Sequence, residues 1–159
     1  MTLLKEYLDK LDSEFQLMIN IPSQIVSTRY FELPVKNKKK ALQMLPFQIE
    51  EDLPFSLGDS TWSESINQEA NCAKVIVGIV KDTHFNAFYE LLKKHQISPH
   101  VLTSDTSGYN GFIKQHHANF PKNFSIINIG HETTRGFYFH NSELVSNHQS
   151  YVAGDELTK

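Results

Sequence analysis

The chain has 159 residues with 40% hydrophobic and 21% charged side chains, a balance that predicts a folded globular protein and excludes a disordered one. A net charge of -3, with Arg29 and Arg135 as the only arginines, argues against broad nucleic-acid binding. The single cysteine, Cys72, excludes an intrachain disulfide and favours the cytoplasm, and no apolar run reaches the roughly 20 residues that cross a bilayer, so we expect no membrane insertion.

The N-terminal third is predicted to begin with a helix followed by two strands. Leucines recur at helical spacing in residues 1–11, with charges between them, which is typical of an amphipathic helix. Residues 15–21 and 24–33 are runs of strand length, and each is closed by a proline. A Pro-Ser turn separates these two predicted strands.

A second helix is predicted within residues 41–57. Leu42, Leu45, Ile49 and Leu53 form an apolar stripe at helical spacing, which indicates one buried face. Pro46 either kinks this helix or marks the first turn of its main part, because proline has no backbone N–H to donate.

The middle of the chain predicts a strand, a helix and a strand, after a polar stretch at residues 58–71 in which no element is predicted. Residues 73–80 are almost all apolar and β-branched, as in a central strand covered on both faces. Asp82 is expected to cap the helix that follows, and extended character resumes at residues 97–102.

The C-terminal third is predicted to contain one helix, opening near Asp105, and then three short strands joined by tight polar turns. The strands are expected at residues 124–129, 136–140 and 144–148. Eight histidines show no converging ligand spacing, so no metal site is expected.

The turn between the first two of these strands carries the candidate functional residues. The pattern I-N-I-G-H-E-T-T resembles the second phosphate loop of actin-like ATPases, with matching positions at Asn128, Gly130, Thr133 and Thr134. In that superfamily an acidic residue approaches the nucleotide-bound metal, glycine admits phosphate to the backbone, and threonine adds donors. Asn128 stands in place of the acid and supplies no negative charge, and the alternative interpretation is a plain β-hairpin.

Three further motifs resemble the PilM family of type IV pilus assembly and the GspL family of type II secretion. They are P-S-x-x-V-x-x-R-x-x-E-L-P at residues 22–34, F-Q-x-E-x-x-x-P-F-x-L at residues 47–57, and A-G-D-E-L-T at residues 153–158. The resemblance implies an α/β (α+β) chain, part of an actin-like (ribonuclease H-like) fold with an inserted small α/β subdomain, incomplete at both ends.

The resemblance also implies a division of the chain. Residues 1–21 would end the first actin-like subdomain, and residues 22–105 would form the inserted subdomain. Residues 106–159 would begin the second lobe with a three-stranded antiparallel meander.

The function implied is that of a non-catalytic cytoplasmic scaffold, held at the inner face of the inner membrane by a PilN-like tail or by a secretion ATPase. Phe55 and Trp62 are candidates for partner docking, although core packing is the alternative for both rings. No cofactor is expected within this segment, while ATP with magnesium is an expectation for an intact protein.

Two alternatives remain open. One is an actin-like ATP-binding protein or ATPase related to PilM or FtsA, whose nucleotide site is incomplete in this segment. The other is an ordinary two-unit α/β binding module, which would be favoured if the last three strands were not consecutive antiparallel neighbours.

Overall fold

The computed structural model of the protein describes residues 2–10 and 15–157. The chain divides into two compact units, an N-terminal unit of Met1–Ser104 and a C-terminal unit of Asp105–Lys159. Both units mix helices with strands, in agreement with the predicted α/β class.

The N-terminal unit contains eight described regular elements and two small sheets. The pair β1 and β5 is parallel, whereas the order β2-β4-β3 is antiparallel throughout. The elements are α1 (Thr2–Leu8), β1 (Met18–Asn20), β2 (Ser27–Leu33), α2 (Lys38–Asp52), β3 (Ser60–Gln68), β4 (Ala73–Lys81), α3 (Asp82–Lys94) and β5 (Val101–Thr103).

The core of this unit forms where α2 packs on the three-stranded sheet. Every fourth residue of α2 is fully buried, at Ala41, Leu45 and Ile49, because these positions share one face of the helix. Alternate residues of β4, Val75 and Val77 among them, meet that face. The predicted central strand is confirmed, but most of the residues between these are only half-buried, so the second face of β4 is covered less fully than predicted.

Helix α2 begins earlier than its apolar stripe indicates, because Asn37 caps it. The Asn37 side chain accepts hydrogen bonds from the backbone N–H groups of Lys39 (2.8 Å) and Lys40 (3.2 Å). Pro46 lies inside the helix, which continues through it, and the carbonyl group of Leu42 therefore lacks its usual N–H donor.

Strand β3 occupies the polar stretch in which no element was predicted. Its inward residues include Trp62 and Ile66, which alternate with exposed Thr61, Ser63 and Ser65. The Thr61 hydroxyl donates to the Asp82 carboxylate at 2.8 Å, which ties β3 to the first turn of α3. Asp82 is the first helical residue rather than the predicted cap, a position held by the preceding lysine.

The C-terminal unit consists of a three-stranded antiparallel meander, a helix of 11 residues before it and a short helix of four residues after it. Phe137, Phe139 and Ile113 are fully buried and form the centre of its core. A two-residue turn, Asn141 and Ser142, joins the last two strands with positive φ values of 50° and 62°. The elements are α4 (Asp105–Gln115), β6 (Asn123–Ile129), β7 (Thr134–His140), β8 (Glu143–Ser150) and α5 (Gly154–Leu157).

The strand order β6-β7-β8 is consecutive and antiparallel. This is the arrangement on which the actin-like interpretation depended, and its absence would have favoured the ordinary binding-module alternative. None of the described helices is both long enough and apolar enough to cross a membrane.

Candidate functional site

The loop between β6 and β7 is a tight, internally bonded hairpin. The N–H of Gly130 donates to the carbonyl oxygen of Thr133 at 2.9 Å, which leaves His131 and Glu132 at the tip. A Cβ atom on Gly130 would lie only 2.8 Å from that same oxygen, closer than real Cβ atoms approach backbone. Glycine is required here by the close approach of the two loop ends.

The segment after β8 fastens this hairpin from the other side. The N–H of Gly154 donates to the carbonyl oxygen of Gly130 at 2.9 Å, and the N–H of Asp155 donates to that of His131 at 3.4 Å. The His131 ring and the Asp155 carboxylate are 2.7 Å apart, both exposed to solvent. The backbone donors at Gly130, Gly154 and Asp155 are therefore directed at loop carbonyls.

The four predicted site residues do not converge on one point. Asn128 lies in β6 opposite Arg135, whereas Thr134 lies at the start of β7 opposite Ile129. Paired residues share a face of the sheet and successive residues alternate, so Asn128 and Thr134 point to opposite faces. Gly130 and Thr133 are brought together, in the loop itself.

A buried ion pair that was not predicted from the sequence lies beside Asn128. A guanidinium Nη1 of Arg135 donates to Oδ1 of Asp105 at the start of α4, and the two side chains are only 6% and 14% exposed. The same carboxylate oxygen accepts the N–H of Thr106 at 2.7 Å. The guanidinium also lies 5.5 Å from the ring centre of Phe137.

Arg135 is not fully satisfied by this pair. Its Nε is buried and has no hydrogen-bond partner among the described residues, as is the case for Oδ1 of Asn110. The sequence signal that could have drawn attention to Arg135 is that arginine is rare, with two in the chain. The other arginine, Arg29 of β2, pairs with Asp52 at the end of α2 at 2.6 Å. Each unit thus uses its arginine to join a strand to a helix end.

These residues fit a metal-bound nucleotide poorly. Asn128 offers a neutral amide where a carboxylate would hold a cation, and its cross-strand neighbour Arg135 adds positive charge. The Gly130 amide is already bonded within the hairpin. Across residues 2–10 and 15–157, no group of three or more His, Cys, Asp or Glu residues is placed to hold a metal ion.

Phe55 and Trp62 lie in the N-terminal unit and are both half-buried against its core. Lys81 places its ammonium 4.4 Å from the centre of the Phe55 ring, and Trp62 pairs across the sheet with Ile79. Core packing accounts for both positions, and their role in docking stays a prediction.

Cys72 lies in the turn between β3 and β4, close to acidic side chains. Partial burial raises the pKa of its thiol first of all, and hydrogen bonds to Glu32 and Glu69 raise it further. The hydrogen bond from Lys74, whose ammonium is 2.5 Å from the carboxylate, holds the pKa of Glu69 below its usual value. The surrounding acids therefore oppose thiolate formation.

No protein-family model matches the chain, and no curated protein matches it either. The chain does match several solved structures. The chain is similar to a structure described as the PilM-PilN type IV pilus biogenesis complex, with 16% identity, a TM-score of 0.76 and coverage of 99% of this chain. It is also similar to the cytoplasmic domain of EpsL, an inner membrane component of the type II secretion system of Vibrio cholerae, with 11% identity, a TM-score of 0.63 and 94% coverage.

A third similar structure is a protein of unknown function with an actin-like ATPase fold from Bacteroides thetaiotaomicron, at 13% identity, a TM-score of 0.52 and 99% coverage. The chain spans 50%, 55% and 58% of the lengths of these three structures. The predicted fold is confirmed: the chain has part of an actin-like fold, of the form found in PilM and EpsL.

Proposed function

We propose that this protein is a scaffold component of the inner-membrane assembly platform of a type IV pilus or a type II secretion system. It acts by binding other proteins rather than by catalysis. The observation that carries the proposal is the fold, which follows the structure from the PilM-PilN complex over 99% of the chain.

The partner in this proposal is the cytoplasmic tail of a PilN-like membrane protein. Support comes from the description of the similar structure, in which PilM is complexed with PilN. A second partner class, a secretion ATPase, is implied by the sequence resemblance to the GspL family alone. Either partner would place the protein in the cytoplasm at the inner face of the inner membrane.

The chemistry of the loop also supports a scaffold. A phosphoryl-transfer site needs a group that orients the attacking water and groups that hold magnesium, and the magnesium ligands usually include a carboxylate. Asn128 has none, and Gly130 bonds within its own hairpin. In this proposal the residues that resemble a phosphate loop serve as parts of a packed turn.

An actin-like ATP-binding protein is the second candidate, favoured by the actin-like ATPase fold of a similar structure. ATP with magnesium would be the cofactor in that case, and Thr133 and Thr134 would be the remaining phosphate donors. A nucleotide titration of the protein in its native length, with the Asn128→Asp variant beside it, separates the two candidates.

We expect no magnesium-dependent ATP binding or turnover by the native protein. Tight binding that requires magnesium, with turnover, would contradict the scaffold proposal in favour of the ATPase. Activity seen only in Asn128→Asp would support the scaffold, since it would identify the missing carboxylate as the lost function.

Partner binding is tested by co-expression of the tagged chain with a PilN-like protein and, separately, with a secretion ATPase. We expect co-purification with one of them and not with a version of the membrane protein lacking its cytoplasmic tail. Trp62, the only tryptophan, gives an independent fluorescence readout of peptide binding near the core of the N-terminal unit. Failure of both partners to bind would overturn the proposal.

A further inference from the structure

The outer face of α2 carries an apolar centre that the N-terminal unit does not use. Phe47 is 70% exposed and Met44 is 37% exposed, although both lie in the middle of a helix whose other face is fully buried. At 100° per residue Phe47 projects almost directly away from Leu45 and the sheet. The fold of this unit therefore does not explain a large aromatic side chain at this position.

The charges at the two ends of α2 are arranged in a way that destabilises an isolated helix. Lysines occupy the first turn of α2, at residues 38–40, and acids occupy the last turn, at residues 50–52. Helix dipoles favour the reverse, acids at the N-terminus and bases at the C-terminus. Asp52 is paired with Arg29, but the lysine side chains make no ion pair among the described residues.

These features form one symmetric stripe. Lys40, Met44, Phe47 and Glu51 follow one another at spacings of four, three and four residues, so all four lie on the exposed face. The stripe places a base at one end, an acid at the other, and two apolar residues between them. Spacings of three and four residues are those by which helices pair side by side.

The stripe is complementary to itself when a second helix runs antiparallel to it. Lys40 then faces Glu51 of the other copy, and Met44 faces Phe47, with the same two contacts repeated on the far side of the two-fold axis. A thioether against an aromatic ring is a favourable contact. Each lysine-rich helix start also meets the acidic end of the other helix, which offsets both unfavourable charge clusters.

We propose that the exposed face of α2 binds the same face of a second copy of this chain, forming an antiparallel two-fold pair. Self-complementarity of this kind is what an isologous dimer interface requires. One 15-residue helix covers less area than the roughly 800 Å² per partner of a standard interface, so the pair is expected to be weak and to depend on concentration. The proposal does not depend on the pilus or secretion role.

Sedimentation velocity of the chain over a wide range of concentration tests this directly. The wild type should shift from monomer toward dimer as concentration rises. Phe47→Gln should abolish the shift while leaving the thermal midpoint in place, because the ring is exposed. A wild-type chain that stays monomeric throughout would overturn the proposal and leave this face to a different partner.

Charge reversal provides the sharper test. Lys40→Glu alone and Glu51→Lys alone each turn both interchain pairs into repulsive ones, and each should weaken the dimer about tenfold. An equal mixture of the two variants restores opposite charges at both contacts, so it should dimerise as well as wild type. Lys114→Glu, an equal change of charge on α4, is the control and should have no effect.

The folding of these variants is checked by their thermal midpoints, which should be unchanged or higher because both reversals agree with the helix dipole. If a variant dimerises more weakly but has an equal or higher thermal midpoint, the loss of dimer comes from the interface and not from unfolding of the chain. A mixture that associates no better than either variant alone would refute the antiparallel register.

Discussion

The buried pair of Arg135 and Asp105 makes the strongest stability prediction. Asp105→Asn keeps the shape of the side chain but leaves a guanidinium that is 6% exposed without a countercharge. Removing one member of a buried ion pair typically costs about 3–5 kcal/mol, because the remaining charge stays desolvated. For a chain of this size the thermal midpoint should fall by on the order of 10 °C.

Substitution of the other member of the pair, Arg135→Met, should reduce the free energy of unfolding by a smaller amount. It leaves a carboxylate that is 14% exposed, still accepts the N–H of Thr106, and lies at a helix start where negative charge is favoured. Methionine also keeps apolar contact with Phe137. We expect a loss of about 1–2 kcal/mol, within the range of single substitutions at partly compensated sites.

Thermal and urea unfolding of both single variants and of the double variant gives the coupling energy between the side chains. A melting or urea curve does not show which of the two units has lost stability. Hydrogen exchange of the β7 amides reports the stability of the C-terminal unit specifically. The double variant should be close to Arg135→Met in stability, since no unpaired buried charge remains. An Asp105→Asn variant within about 0.5 kcal/mol of wild type, or additive effects, would refute this reasoning.

Three further experiments test the glycine of the hairpin, the proline of α2 and the thiol of Cys72. Gly130→Ala should destabilise the protein by about 1–3 kcal/mol, because the added Cβ would lie 2.8 Å from a backbone oxygen. Gly136→Ala is the control: its added Cβ would have no other atom within 4 Å, so the thermal midpoint should hardly change. Pro46→Ala should raise the free energy of unfolding by up to about 3 kcal/mol because it restores a helical N–H. A lower thermal midpoint for the variant would instead show that the packing of the proline ring contributes more to stability than the restored hydrogen bond. The pH at which Cys72 reaches half its maximal alkylation rate should be higher than that of a model thiol, because nearby carboxylates oppose the thiolate. Glu69→Gln should lower this midpoint pH. An alkylation midpoint equal to that of the model thiol would contradict the raised pKa.

Elements with strong local patterns were predictable from the sequence. Strand β4 has an unbroken apolar run at residues 75–80, and the C-terminal meander is marked by polar turns between apolar runs. Strand β3 was missed because seven of its nine residues are Ser, Thr, Asn, Gln or Glu, and only Trp62 and Ile66 show its alternation. The strand exists because β4 pairs with it along its full length, which is a long-range effect.

The candidate site was only partly predictable, for a related reason. The hairpin and its glycine follow from the local sequence, but the register Asn128 to Arg135 depends on the loop length and decides which side chains share a face. Arg135 and Asp105 are 30 residues apart, so no spacing rule connects them. The contact appears only when α4 packs on the meander.

The charge order of α2 has a consequence for the ionic strength at which the protein is studied. Its lysine-rich start and acidic end oppose the helix dipole, and dissolved salt screens such exposed charges. Added salt should therefore stabilise the folded helix in a single chain, while the same screening weakens attraction between Lys40 and Glu51 of two chains. Thermal stability and self-association would then respond to salt in opposite directions, and a buffer chosen for the most stable monomer would be the one in which the pair is hardest to detect.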